Sequence, residues 1–147
     1  MEQRLSIITI GVANLDESRA FYDALGWVVA NEAQAEEIIA YDLQNMTLAL
    51  YPLQKLEEDA RVTVTPSQYS SMTIAYNVGS SEDVDAVLAK VSAIGGEIVK
   101  PAEKAFWGGY SGYFADPNGT LWEVAHNPFS ALGPNGEFQW NGVGGTS

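Results

Sequence analysis

The order strand, helix, three strands occurs twice along this 147-residue chain, and that repetition constrains the fold more than any other feature. In the first half, residues 6–12 (SIITIGV) read as a strand and residues 16–25 as a helix. Asp16 is expected to cap that helix with its side-chain oxygen. Phe21, Tyr22 and Leu25 recur at helical spacing, with small Ser18 on the same face, and Gly26 supplies the stop. Residues 27–30, 37–43 and 46–51 read as three short strands, the last two joined by a tight Gln44-Asn45 hairpin. Residues 52–66 are a polar connection with a helical turn at 56–60.

The second half repeats the order. Residues 72–78 read as a strand, and Ser80 or Ser81 opens a helix over 82–94. Val84, Val87, Leu88, Val91 and Ile94 form its apolar stripe, and Gly95-Gly96 ends it. Strands follow at 97–100, 110–115 and 120–126. The last two are joined by Asp116-Pro117-Asn118-Gly119, in which Pro presets φ, Asp bonds the turn backbone and Gly takes the positive φ. Each βαβββ unit leaves an apolar sheet face that pairing would bury. The modules span about 5–52 and 70–127, in a domain over 1–128. The Gly- and Asn-rich tail, 129–147, packs in part through Phe129, Leu132, Phe138 and Trp140.

Charge and composition exclude several classes of function. Nineteen acidic against seven basic residues give a formal net charge of −12. That balance argues against nucleic acid as a partner, which needs a basic footprint, and against anionic membranes. It serves solubility, or draws cationic ligands to an acidic patch. No apolar run reaches the roughly 18 residues of a membrane span. The first residues, MEQRLSIITIGV, carry no long apolar region or cleavage signature, so a cytoplasmic location is expected. With no cysteine, thiolate chemistry and Cys-based zinc sites are excluded.

Candidate chemistry concentrates in residues 106–127, FWGGYSGYFADPNGTLWEVAHN. Glu123 interrupts an otherwise apolar strand, and a carboxylate there needs a metal, a ligand, a hydrogen-bond network or open water. It is either a pocket group that accepts a ligand N–H or acts as a base, or a satisfied structural carboxylate. Trp107-Gly108-Gly109-Tyr110 reads as a flexible aromatic loop. Trp107 and Tyr110 either stack on an organic ligand or plug the end of a sheet cavity. Tyr51 and Tyr76 either point hydroxyls into a cavity or pack their rings. His126, the only histidine, lies three residues after Glu123, so strand alternation sends it to the other face. No dinucleotide fingerprint, Walker lysine or Ser-His-Asp grouping is visible.

Three segments resemble the vicinal oxygen chelate superfamily, which groups glyoxalases, bleomycin resistance proteins and extradiol dioxygenases. They are ITIGVANLDESRAFYDALGW, TIAYNVGSSEDVDAVLAKVSAIGGEIVKP and YFADPNGTLWEVAHNP, in that order. The resemblance implies an α+β fold in which two βαβββ modules form a curled mixed sheet around a cavity. It also implies a homodimer, since members often pair. Its enzymes usually hold a divalent metal through ligands from the first strand and a later strand of each module. Here those positions fall at Ile7, near Thr73 beside Met72, within residues 47–51, and at Glu123. Only Glu123 is a ligand type, far short of a metal-binding set.

The expected function is therefore metal-independent binding of a small organic molecule near Glu123, with no cofactor. Two alternatives stay open. One is a lyase, isomerase or dioxygenase using zinc, nickel, iron or manganese on vicinal oxygens, with Glu123 as a ligand. The other is a metal-free enzyme with Glu123 as general base. Whether any reaction is catalysed is not decided by the sequence.

Overall fold

Asn14 starts the first helix, not Asp16. In the computed structural model, which describes residues 1–144, the Asn14 side chain accepts the N–H of Glu17 at 3.0 Å. The helix then runs over Leu15–Leu25 and stops at Gly26, whose φ is +97°. Asp16 lies inside the first turn, where its charge suits the helix dipole but its side chain cannot cap.

The chain divides into two units, Met1–Ser67 and Gln68–Ser147. The first contains strands β1 (Ile7–Val12), β2 (Ile39–Leu43) and β3 (Met46–Pro52). Helices α1 (Leu15–Leu25) and α2 (Leu53–Ala60) and a short 3-10 turn (Glu32–Gln34) complete it. The sheet order is β1-β3-β2, with β1 parallel and β2 antiparallel to β3. The Gln44-Asn45 hairpin forms, with Leu43 opposite Met46 and Asn45 at φ 65°. Residues 27–30 make no strand. Val28 is 83% exposed, while Trp27 packs its ring 5.5 Å from that of Tyr41. Side-chain packing rather than a ladder holds this stretch, together with bonds from the Trp27 N–H to the Tyr22 carbonyl at 3.1 Å and from the Ala30 N–H to the Ala40 carbonyl at 2.8 Å. Val12, Tyr22, Ile39, Tyr41, Leu48 and Leu50 are buried here.

The second unit has the complete βαβββ order. Its elements are β4 (Thr73–Asn77), α3 (Ser81–Ala93), β5 (Glu97–Lys104), β6 (Tyr110–Ala115) and β7 (Leu121–His126). Ser80 caps α3 by accepting the Asp83 N–H at 3.1 Å. The sheet order is β4-β7-β6-β5, with β4 parallel to β7 and the other pairs antiparallel. Helix α3 covers one face, burying Val84, Leu88 and Val91 against β5, β6 and β7. Trp122 and Phe114 stack on that face, ring centres 5.9 Å apart. Gly112 permits the approach: a Cβ there would lie 2.5 Å from the Leu88 side chain and 2.9 Å from the β5 backbone.

The expected single curled sheet around a cavity does not form. The described strands make two separate open sheets, of three strands and of four. Each ends in unpaired edges, for reasons that lie within each sheet. The first sheet lacks the strand expected at 27–30. In the second, the outer strand β5 loses register twice along its pairing with β6 and carries Pro101, which has no N–H to offer a further strand. Among the described residues no helix is long and apolar enough to cross a membrane.

Candidate functional site

Strand alternation gives the four-stranded sheet two different faces. Trp122, Val124 and His126 share one face of β7, and Leu121, Glu123 and Ala125 share the other. Parallel pairing sets Ala75 of β4 beside Glu123, and Asn77 beside Ala125. Alanines at 75 and 125 leave room above this part of the sheet, and a concavity of about 630 Å³ opens there. That lies within the roughly 300–1,000 Å³ of small-molecule sites. Glu123 is the one charged side chain among its described lining residues.

The β5–β6 loop supplies one wall. Its turn is closed by bonds from the Ala105 N–H to the Gly109 carbonyl (2.9 Å) and from the Gly108 N–H to the Ala105 carbonyl (3.0 Å). Trp107, at the tip, folds back over Gly109. A Cβ on Gly109 would lie 1.8 Å from the indole, so glycine is what allows this placement. The chain beyond β7 supplies the other walls through Phe129, Phe138 and Trp140. Asn127 accepts the Phe129 N–H at 2.9 Å and donates to the Ser130 hydroxyl at 3.1 Å. Buried Ser130 in turn donates to the Trp140 carbonyl at 2.6 Å. These bonds tie the returning segment to the end of the sheet.

Across the β6–β7 ladder, Tyr113 stands directly opposite Glu123 and on the same face. This sets its phenol ring beside the Glu123 carboxylate. Burial first, and then the nearby Glu123 charge, pushes the Tyr113 phenol above its ordinary value.

The other sequence candidates lie elsewhere. Tyr110 is on the helix-covered face, where its hydroxyl donates to Asp85 of α3 at 2.8 Å. Tyr76 alternates away from Ala75 and Asn77 and is 51% exposed. Tyr51 belongs to the first unit and donates to Asp59 at 3.0 Å. Only Trp107 and Glu123 among the candidates line this concavity. Sequence reasoning did not single out Tyr113, Asn77 or Asn127. It read Phe129, Phe138 and Trp140 as tail packing only. For Tyr113 the signal existed, because the Asp116–Gly119 turn fixes the β6–β7 register.

The donors present do not fit a divalent metal. Ala75 and Ala125 flank Glu123, Thr73 pairs with Leu121, and His126 turns its Nδ1 to the Val78 carbonyl at 3.3 Å. Among the described residues no group of three or more His, Cys, Asp or Glu side chains is placed to hold a metal ion.

The sequence profile described as Glyoxalase/Bleomycin resistance protein/Dioxygenase superfamily matches residues 4–124. The chain belongs to this superfamily. A crystal structure of a glyoxalase-related enzyme from Fulvimarina pelagi is similar at 35% identity and a TM-score of 0.85, over 95% of this chain and 99% of that one. Two further superfamily structures share the fold. A glyoxalase/bleomycin resistance protein/dioxygenase from Nocardioides is 20% identical, with a TM-score of 0.74 over 86% of this chain and 84% of that one. Lactoylglutathione lyase from Agrobacterium tumefaciens is 19% identical, with a TM-score of 0.66 over 86% and 96%. No curated protein matches the chain.

Proposed function

We propose that this superfamily member binds a small organic molecule in the concavity above Glu123, without a divalent metal held there. The observation that carries the reading is the contrast within one site: a lone carboxylate on a floor of alanines, walled by aromatic rings. Apolar walls supply area, and a few polar groups fix orientation. The test is NMR shift mapping with a fragment library on the intact chain. Fragments are expected to move the Glu123 amide and the Trp107 indole N–H together. A library that moves neither would overturn the reading. Elemental analysis of protein purified without chelators or a histidine tag is expected to find no stoichiometric zinc, nickel, iron or manganese.

A second reading rests on Tyr113 standing opposite Glu123 on one face of the sheet, which sets a phenol beside a carboxylate as proton-transfer sites do. In this reading Glu123 is a general base acting on the bound molecule. It predicts that Glu123→Gln removes the acidic limb of a pH–rate profile, and an unchanged profile would sink it. A homodimer in the cytoplasm completes the proposal. Unpaired edges at β1 and at β4 support the dimer, and light scattering reads it.

A further inference from the structure

The family profile ends at residue 124, but the concavity does not. Of the four aromatic side chains that line it among the described residues, Phe129, Phe138 and Trp140 all come from beyond β7. The shared domain contributes the floor, with Ala75, Asn77 and Glu123, and only one ring, Trp107. The segment that brings the others is tied down by the Asn127, Ser130 and Trp140 bonds described above. A further bond runs from the Val143 N–H to the Ala131 carbonyl at 3.2 Å. Its rings are held, yet not consumed by a core: Trp140 is 82% exposed and Phe129 is 70% exposed. Large apolar rings fixed in the open beside a concavity need an explanation that packing alone does not give. The similar structure from Fulvimarina pelagi leaves only 5% of this chain uncovered (100 − 95), about seven residues, so the similarity extends through most of this segment.

We infer that the segment after β7 is the specificity element of the site, selecting planar aromatic molecules whose N–H group reaches Glu123. This rests on the binding reading proposed above. Flat rings gain most from stacking between aromatic walls. Glu123 accepts hydrogen bonds and repels anions, and among the described residues no cationic side chain lines the site to offset it. Aryl amines and amino-heterocycles satisfy both demands, whereas aryl carboxylates satisfy only the first.

The test titrates the full chain, by NMR, with four probes: 9-aminoacridine, acridine, 2-naphthoate and cyclohexylamine. The expected order is 9-aminoacridine tightest, acridine weaker, and the other two weakest. Trp140→Ala and Phe129→Ala remove exposed rings and leave the buried core in place. Each is expected to weaken both acridines about fivefold to tenfold. Glu123→Gln is expected to remove the advantage of 9-aminoacridine over acridine and little else. If the acridines bind at Glu123 but neither ring variant weakens them, the segment is not the specificity element and the binding reading stands. The same holds if cyclohexylamine alone moves the Glu123 signal, or if 2-naphthoate binds as well as 9-aminoacridine. If no probe moves any lining residue, this inference falls, and the fragment library decides separately whether the binding reading falls with it.

Discussion

Tyr113 and Glu123 face each other across the β6–β7 ladder, and the carboxylate charge adds to burial in raising the phenol's pKa. The negative charge opposes formation of a phenolate beside it. Glu123→Gln is therefore expected to let Tyr113 lose its proton at lower pH, with burial keeping part of the elevation. Tyrosine-labelled NMR, with the signal assigned by Tyr113→Phe, measures this. An unmoved titration would mean that the pair is not coupled.

Gly109 is expected to control the position of Trp107. An alanine Cβ would lie 1.8 and 1.9 Å from indole atoms and 2.8 Å from the His126 carbonyl oxygen. Gly109→Ala should displace the indole and cost about 1–3 kcal/mol. The Trp107 indole N–H shift and the denaturation midpoint report the two effects separately.

Asp116 organises the turn that sets the β6–β7 register. It is buried, and its Oδ1 accepts the N–H groups of Asn118 and Thr120, each at 2.9 Å. Asp116→Ala leaves both donors without this acceptor and should cost roughly 2–4 kcal/mol. Asp116→Asn keeps an amide oxygen in place and should cost less. Equal losses in the two variants would show that the bonds do not carry the stability.

The helix start can be tested by a paired substitution. Asn14→Ala removes the cap bond and should destabilise by about 1 kcal/mol. Asp16→Ala removes only a charge in the first turn and should cost a few tenths of that. Urea midpoints in the reverse order would restore Asp16 as the cap.

Alkaline unfolding should depend on Tyr41. Burial, and then its hydrogen bond to Asp23, raise the Tyr41 pKa well above the ordinary 10.0. The native chain therefore keeps this proton at a pH where unfolded tyrosine has released it. The resulting stability is full below about pH 10 and falls as pH rises above that. Tyr41→Phe should flatten this limb in thermal melts between about pH 9 and pH 11.

Helix stops, the Gln44-Asn45 and Asp116–Gly119 turns and the apolar stripe of α3 were legible from residue order. Each depends on a neighbour within a few positions: a cap, a positive φ at Gly26 or Gly119, or spacing along one helix face. The two strand–helix–strands units and the family followed from those signals. So did the opposite faces of Glu123 and His126, because alternation along one strand needs no partner.

Closure, pocket and wall were decided only by tertiary structure. Whether residues 27–30 join a ladder depends on Trp27 packing against Tyr41, fourteen positions away (41 − 27). Whether β5 accepts a further strand depends on its register slips against β6. The tail rings reach Glu123's concavity through the Ser130 bond to Trp140 and through β7's place beside β4. Local chemistry fixes what each segment becomes. Non-local hydrogen bonding and packing fix which segments meet, and the candidate site is made of such meetings.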